Sequence, residues 1–125
     1  MLARRLDELA LSYHDTPPGD PDESDERPTH EDRVKYADIG SRFPDLGYYG
    51  SADPKGVPGE AIVGDAIDDI MDIANDLKEV LWRFDKFGPN DAHWYFRFLY
   101  QMHWGEHLRD LARYLYSRLR VEDEP

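Results

Sequence analysis

At 125 residues the chain has the length of one domain, enough to bury a core without covalent staples. It contains no cysteine, which excludes disulfides, thiolate nucleophiles, cysteine zinc sites and CxxC redox chemistry. Its formal net charge of −12 argues against nucleic acid or an anionic membrane as a partner, because such affinity comes from Lys and Arg neutralising phosphates.

From Leu2 to Tyr13 the residues Leu2, Leu6, Leu9 and Tyr13 recur at spacings of four, three and four, which predicts a first helix with one apolar stripe. Charges are scattered through this segment, so it does not read as a signal peptide. No run approaches the about 18 apolar residues of a membrane span, and a cytoplasmic location is expected. The stretch DTPPGDPDESDERPTHED follows, with eight acids against the lone Arg27 and four prolines. Residues 15–29 of it are expected to form an acidic mobile linker, since they hold too little apolar surface to offset the entropy of ordering.

Thr29, with Asp32 three residues on, suggests the cap of a second helix whose stripe is Tyr36, Ile39, Phe43 and Leu46. Pro44 leaves its last turn open. Residues 47–64 are rich in Gly and Pro and read as a long loop between helices two and three. Tyr48 and Tyr49 stand side by side in it and are expected to dock on the helices, as a lid or as a plug at the bundle's end.

A third helix is predicted over 65–87, stopped by Gly88 and Pro89. Ile67, Ile70, Ala74, Leu77, Leu81 and Phe84 share one face at about 100° per residue. Asp65, Asp69, Asp72 and Asp76 gather on roughly the opposite face, which is read as solvated rather than as a metal rack. The Glu-x-x-His pairs of di-metal carboxylate bundles are missing.

A fourth helix, capped by Asn90 or Asp91, should run to about residue 119. Its aromatic content makes two faces apolar. The fold class expected is therefore all-α: an antiparallel up-and-down bundle of about four helices in one domain, 1–125.

The sequence HWGEH (His103 to His107) carries the sharpest question. Phe96, Tyr100, His103, His107, Leu111 and Tyr114 form one stripe, which turns both imidazoles towards the core. Buried ring nitrogens require partners, and the candidates are a tyrosine hydroxyl, an edge carboxylate such as Asp69 or Asp110, water, a metal or a ligand. The H-x-x-E-H spacing is that of inverted zinc proteases. Against that reading, only residues 108–125 remain to supply a third ligand, and Glu106 projects away from a metal held between the histidines.

The candidate pocket is thus His103, His107, Tyr100, Trp104, Tyr48 and Tyr49. No catalytic residue and no cofactor is assigned, and His103, His107 and His93 are the residues to consider should a metal bind. No phosphate loop, dinucleotide site or nucleophile elbow is present. Arg109, Arg113, Tyr116 and Arg120 form an Arg-Tyr face of the kind that interfaces favour. A protein partner or self-association is the expected role, with a small-molecule ligand or a metal-assisted hydrolase as the alternative.

The segments IVGDAIDDIMDIANDLKEVLWRF and WYFRFLYQMHWGEHLRDLARYL, preceded by GYYGSADP, resemble the bacterial family called domain of unknown function 5063. The blocks that carry the likeness best lie at Asp68 to Glu79 and His103 to His107. The resemblance implies small, largely helical, soluble proteins with no assigned activity. It also implies that the position of Glu106 is often basic, so that this glutamate is no shared catalytic base.

Overall fold

The computed structural model describes the backbone of residues 1–123, with side chains through residue 119. Helix α1 is Leu2–Asp15, α2 is Tyr36–Arg42 and α3 is Ala66–Phe87. The last rod is continuous but changes its winding: α4, Pro89–Leu99, passes through a π-helical turn, Tyr100–Trp104, into α5, Gly105–Asp123.

The third helix begins where its sequence says it should. The Asp65 carboxylate accepts from the backbone N–H groups of Ile67 and Asp68, satisfying two of the donors a helix start leaves open. The fourth starts earlier than Asn90 or Asp91: Gly88 is its cap and Pro89 its first residue, where a missing N–H costs nothing. Thr29 does not cap α2. It precedes a single 3-10 turn, His30–Asp32, its side chain makes no capping bond, and α2 begins only after Lys35.

The expectation of a purely helical chain is corrected by a small sheet. Within the Gly/Pro-rich segment, β1 (Tyr48–Ser51) and β2 (Ile62–Asp65) pair antiparallel, with Tyr49 opposite Gly64. A Cβ on Gly64 would come within 2.3 Å of the Tyr49 ring. Glycine there lets the tyrosine cross its partner strand and reach α3. The fold is therefore predominantly helical with one hairpin.

The core comprises Leu6 and Ala10 from α1, Ala66 and Ile73 from α3, and Trp104, Leu108 and Leu111 from the last rod. Leu108 and Leu111 are fully buried, and each contributes about 1.5–3 kcal/mol by leaving water. Helix α1 packs on α5 and α2 packs on α3. Two residues assigned to the core face of α3, Leu81 and Phe84, are instead exposed. At that end α3 meets α4 through Arg83, which is buried against Tyr95 and Asp91, and Leu81 and Phe84 turn outward.

The acidic segment is tied to the start of α4. The backbone N–H of Asp20 donates to the Asn90 carbonyl, and that of Asp22 to the Asp91 carboxylate at 2.8 Å. Arg97 donates to the Tyr13 and Thr16 carbonyls where α1 ends. Further along, the Asn75 amide clamps Val34 by accepting from its N–H and donating to its carbonyl.

Candidate metal centre

The aspartate row of α3 does not face solvent. Asp69 is buried, and Asp72 and Asp76 are half-buried against the last rod. The reason lies on the opposing helix: the rod presents two imidazoles there, so the carboxylates meet nitrogen donors rather than an apolar neighbour. At α-helical spacing, 69, 72 and 76 stand in one row, and His103 and His107 stand one turn apart opposite them.

Each histidine is held by its own carboxylate. His103 Nδ1 donates to Asp76 Oδ2 at 2.7 Å, and His107 Nδ1 donates to Asp69 Oδ1 at 2.7 Å. The second oxygen of Asp69 accepts from the Tyr49 hydroxyl. With both Nδ1 atoms donating, both Nε2 atoms turn to one atom, Asp72 Oδ2. That oxygen lies 3.1 Å from His107 Nε2 and 3.9 Å from His103 Nε2.

Three electron-pair donors thus converge, and like-signed lone pairs at this range repel unless a cation sits among them. The cation can be a proton or a metal ion. The hydrogen bond to Asp69 raises the His107 pKa above its ordinary value, against the opposing effect of burial and with help from the charge on Asp72. Burial raises the pKa of the Asp76 carboxyl, while His103 pulls it back down. Burial and the charge of Asp72 do the same to the nearby Asp68 carboxyl.

The group Asp72, His103 and His107 has the donor types of a metal site, in a spacing that an ion would have to draw together. Its three ligating atoms lie within 4.8 Å of one another, and tetrahedral ligands about 2.0–2.1 Å from an ion stand roughly 3.3 Å apart. Carboxylates on the far ring nitrogens are the usual way to fix imidazole tautomer and orientation for a metal. The three residues are each only half-buried, so the group is within reach of water.

The π-helical turn sets this geometry. The Gly105 N–H bonds to the Tyr100 carbonyl five residues back, and a Cβ on Gly105 would lie 2.4 Å from that oxygen and 2.8 Å from the Tyr100 ring. The extra residue in the turn moves the fully buried stripe to Trp104, Leu108 and Leu111 and leaves the histidines at its α3-facing edge. His103 retains 42% side-chain exposure and His107 retains 24%. They are edge groups rather than core groups.

Of the other candidate pocket residues, Tyr49 joins the site through Asp69 and stacks on Tyr114 at 4.8 Å. Tyr48, its neighbour on the strand, points outward and is 71% exposed. Trp104 is a core residue with no exposure, its indole N–H donating to the Phe96 carbonyl. The Tyr100 ring stacks on Tyr13 and its hydroxyl accepts from Arg109. His93 packs against the acidic segment near Gly19 and is outside the group.

On the predicted interface face, Arg109, Arg113 and Tyr116 are exposed, with the Arg113 guanidinium 5.7 Å from the Tyr116 ring centre. The Arg120 side chain lies outside the described residues. The member of this group that sequence reasoning set aside is Asp72. Its signal was the match between an i, i+3, i+7 aspartate row and an i, i+4 histidine pair on the next helix.

Fold and site together define a small, predominantly helical protein with a carboxylate–imidazole cluster between its two longest rods. Over residues 44–120 the chain matches the family described as Domain of unknown function (DUF5063). The match spans more than half of the chain and includes the hairpin, α3 and both histidines, so the chain belongs to that family. Searches of curated proteins and of solved structures returned no match.

Proposed function

We propose that this protein binds a divalent first-row transition-metal ion through Asp72 Oδ2, His103 Nε2 and His107 Nε2. The observation that carries the reading is the convergence of two oriented imidazoles on one carboxylate oxygen, with a separate aspartate behind each ring. Two histidines and one carboxylate leave room for water or a substrate atom, the arrangement found in hydrolytic zinc sites and in oxygen-using ferrous sites. An ion held there would lower the pKa of bound water and polarise a bound oxygen. Supporting it, Asp68, Asp69, Asp72 and Asp76 stand on this side of α3, an excess of negative charge that favours a cation over a neutral ligand.

The test is metal analysis of untagged protein after exposure to Zn2+, Fe2+ or Mn2+ and removal of excess. About one ion per chain is expected, lost in Asp72→Ala and His107→Ala. Absence of stoichiometric metal with all three ions overturns the reading.

A second reading, a protein-interaction module, draws on the exposed pairing of Arg113 with Tyr116. Sedimentation and Tyr116→Ala would test it. Among the described residues no helix is long and apolar enough to cross a membrane; a cytoplasmic location is part of the same proposal, in keeping with a sequence that has no cysteine.

A further inference from the structure

Beside the candidate metal centre lies a cavity of about 590 Å3 between the segment 27–33 and the outer side of α3. Its floor is Asn75, Lys78 and Trp82, and its rim includes Arg27, His30 and Arg33. The rim is fixed rather than draped, because the two bonds between Asn75 and Val34 fasten the end of the segment to the helix.

The cavity is lined by three cations, Arg27, Arg33 and Lys78, and three acids, Asp32, Asp76 and Glu79, so it is formally neutral in a chain of net charge −12. Its acids are mostly engaged elsewhere: Asp76 accepts from His103, and Glu79 is paired with Arg83 at 3.0 Å. Its cations are not engaged by acids. Arg27 donates to the backbone carbonyls of Asp25 and Glu26, and Lys78 donates to the carbonyl of Asp32. Arg33 contacts only the His30 ring, at 3.4 Å. Among the described residues none of these three has a carboxylate within ion-pair distance.

We propose that this cavity binds a small organic phosphate, with its anionic head on Arg33, Lys78 and Arg27 and its flat or apolar part against Trp82. Two guanidinium groups present planar forks of donors that match phosphoryl oxygens, and an ammonium adds a point charge. The volume falls in the range of small-molecule sites. Exposed acids more than about 8–10 Å away are screened at physiological salt, and of the three acids in the lining two, Asp76 and Glu79, are already paired with His103 and Arg83, while the three cations act at contact. Asp76 is shared between the cavity wall and His103, so an occupant lies within one side chain of the metal site. This inference extends the metal reading by naming the substrate class but does not need the ion for binding.

The experiment is calorimetric titration of EDTA-treated full-length protein with phenyl phosphate, inorganic phosphate and benzoate. Phenyl phosphate should bind saturably, and more tightly than either of the others. Arg33→Gln and Lys78→Gln should each weaken it by about tenfold, as expected for a lost charge-assisted bond, with the melting temperature of the free protein near that of the parent. His107→Ala should bind it as the parent does, so loss of metal and loss of anion are read separately. No saturable binding of phenyl phosphate, or equal binding in Arg33→Gln and Lys78→Gln, overturns the proposal. Benzoate binding as tight as phenyl phosphate overturns the assignment of a phosphoryl head.

Discussion

His107 and Asp69 are joined by a 2.7 Å hydrogen bond from Nδ1 to Oδ1, and the second oxygen of the same carboxylate accepts from Tyr49. Asp69 therefore connects the hairpin, α3 and the last rod, and sets which nitrogen of His107 is left to face Asp72. Asp69→Asn keeps the shape but removes the charge behind the ring. Metal affinity, read by competition with a chromogenic chelator, should fall about 10–100-fold. Asp69→Ala should in addition lose about 1–3 kcal/mol of stability, because the Tyr49 hydroxyl and the His107 N–H lose their acceptor. Unchanged metal affinity in Asp69→Asn would remove this aspartate from the site.

The pH dependence of stability follows from the same contacts. His107 has its folded pKa raised, first by the hydrogen bond to Asp69, so the native state holds this proton more tightly than the unfolded chain does. Its contribution is fully present below the ordinary value near 6.5 and is lost as pH rises through the folded value. Asp76 and Asp110 are raised by burial, and their contributions have the same sign at lower pH, falling as pH climbs from about 4. With EDTA present, the melting temperature should rise on going from pH 8 to pH 6, and His107→Gln should flatten that interval. Saturating Zn2+ should reverse the slope, because metal and proton compete for the same nitrogen. A metal-free melting temperature that is highest at pH 8 would contradict this.

Much of the framework was legible in local chemistry. Asp65 before an apolar stripe, with Gly88 and Pro89 after it, marks both ends of α3, and the structure places them within a residue. The hairpin was not legible, because Tyr48–Ser51 and Ile62–Asp65 are four-residue strands whose pairing is non-local, and Gly-rich composition reads as loop in either case. Hydropathy also misplaced the aspartate row. A polar face is assigned to water by default, and only the histidines on the opposing rod make it an internal one. The π-helical turn escaped for a related reason: a fixed 100° projection cannot anticipate one extra residue per turn, which is what moves Trp104 into the core and the histidines to its edge.

Gly105→Ala tests that turn. A methyl group would meet the Tyr100 carbonyl at 2.4 Å and its ring at 2.8 Å, so either the winding or the ring must move. A loss of about 1–3 kcal/mol is expected in urea denaturation. Metal affinity should fall as well, since the same winding fixes the angle between His103 and His107. A variant that loses stability yet binds metal normally would show that the turn serves packing alone.

Arg83 offers a prediction away from the candidate metal site. It is 1% exposed, its Nε donates to Glu79 at 3.0 Å, and its guanidinium carbon lies 3.3 Å from the centre of the Tyr95 ring. Its Nη1 stands 3.6 Å from Asp91 Oδ2, close enough for an ion pair but beyond a hydrogen bond, so that oxygen has no hydrogen-bond partner. Asp91 in turn accepts from Asp22 and so holds the acidic segment to α4. Removing one member of a buried pair leaves the other charged and unmatched, and Arg83→Ala should cost about 3–5 kcal/mol in urea denaturation. Asp91→Asn should cost less, because an amide oxygen can still accept from Asp22. The double variant should fall short of the sum of the singles, since the main penalty of Arg83→Ala is the stranded Asp91 charge. Strict additivity would mean that the two side chains do not interact across their 3.6 Å separation, and that the stability of Arg83 rests on Glu79 and the Tyr95 ring instead.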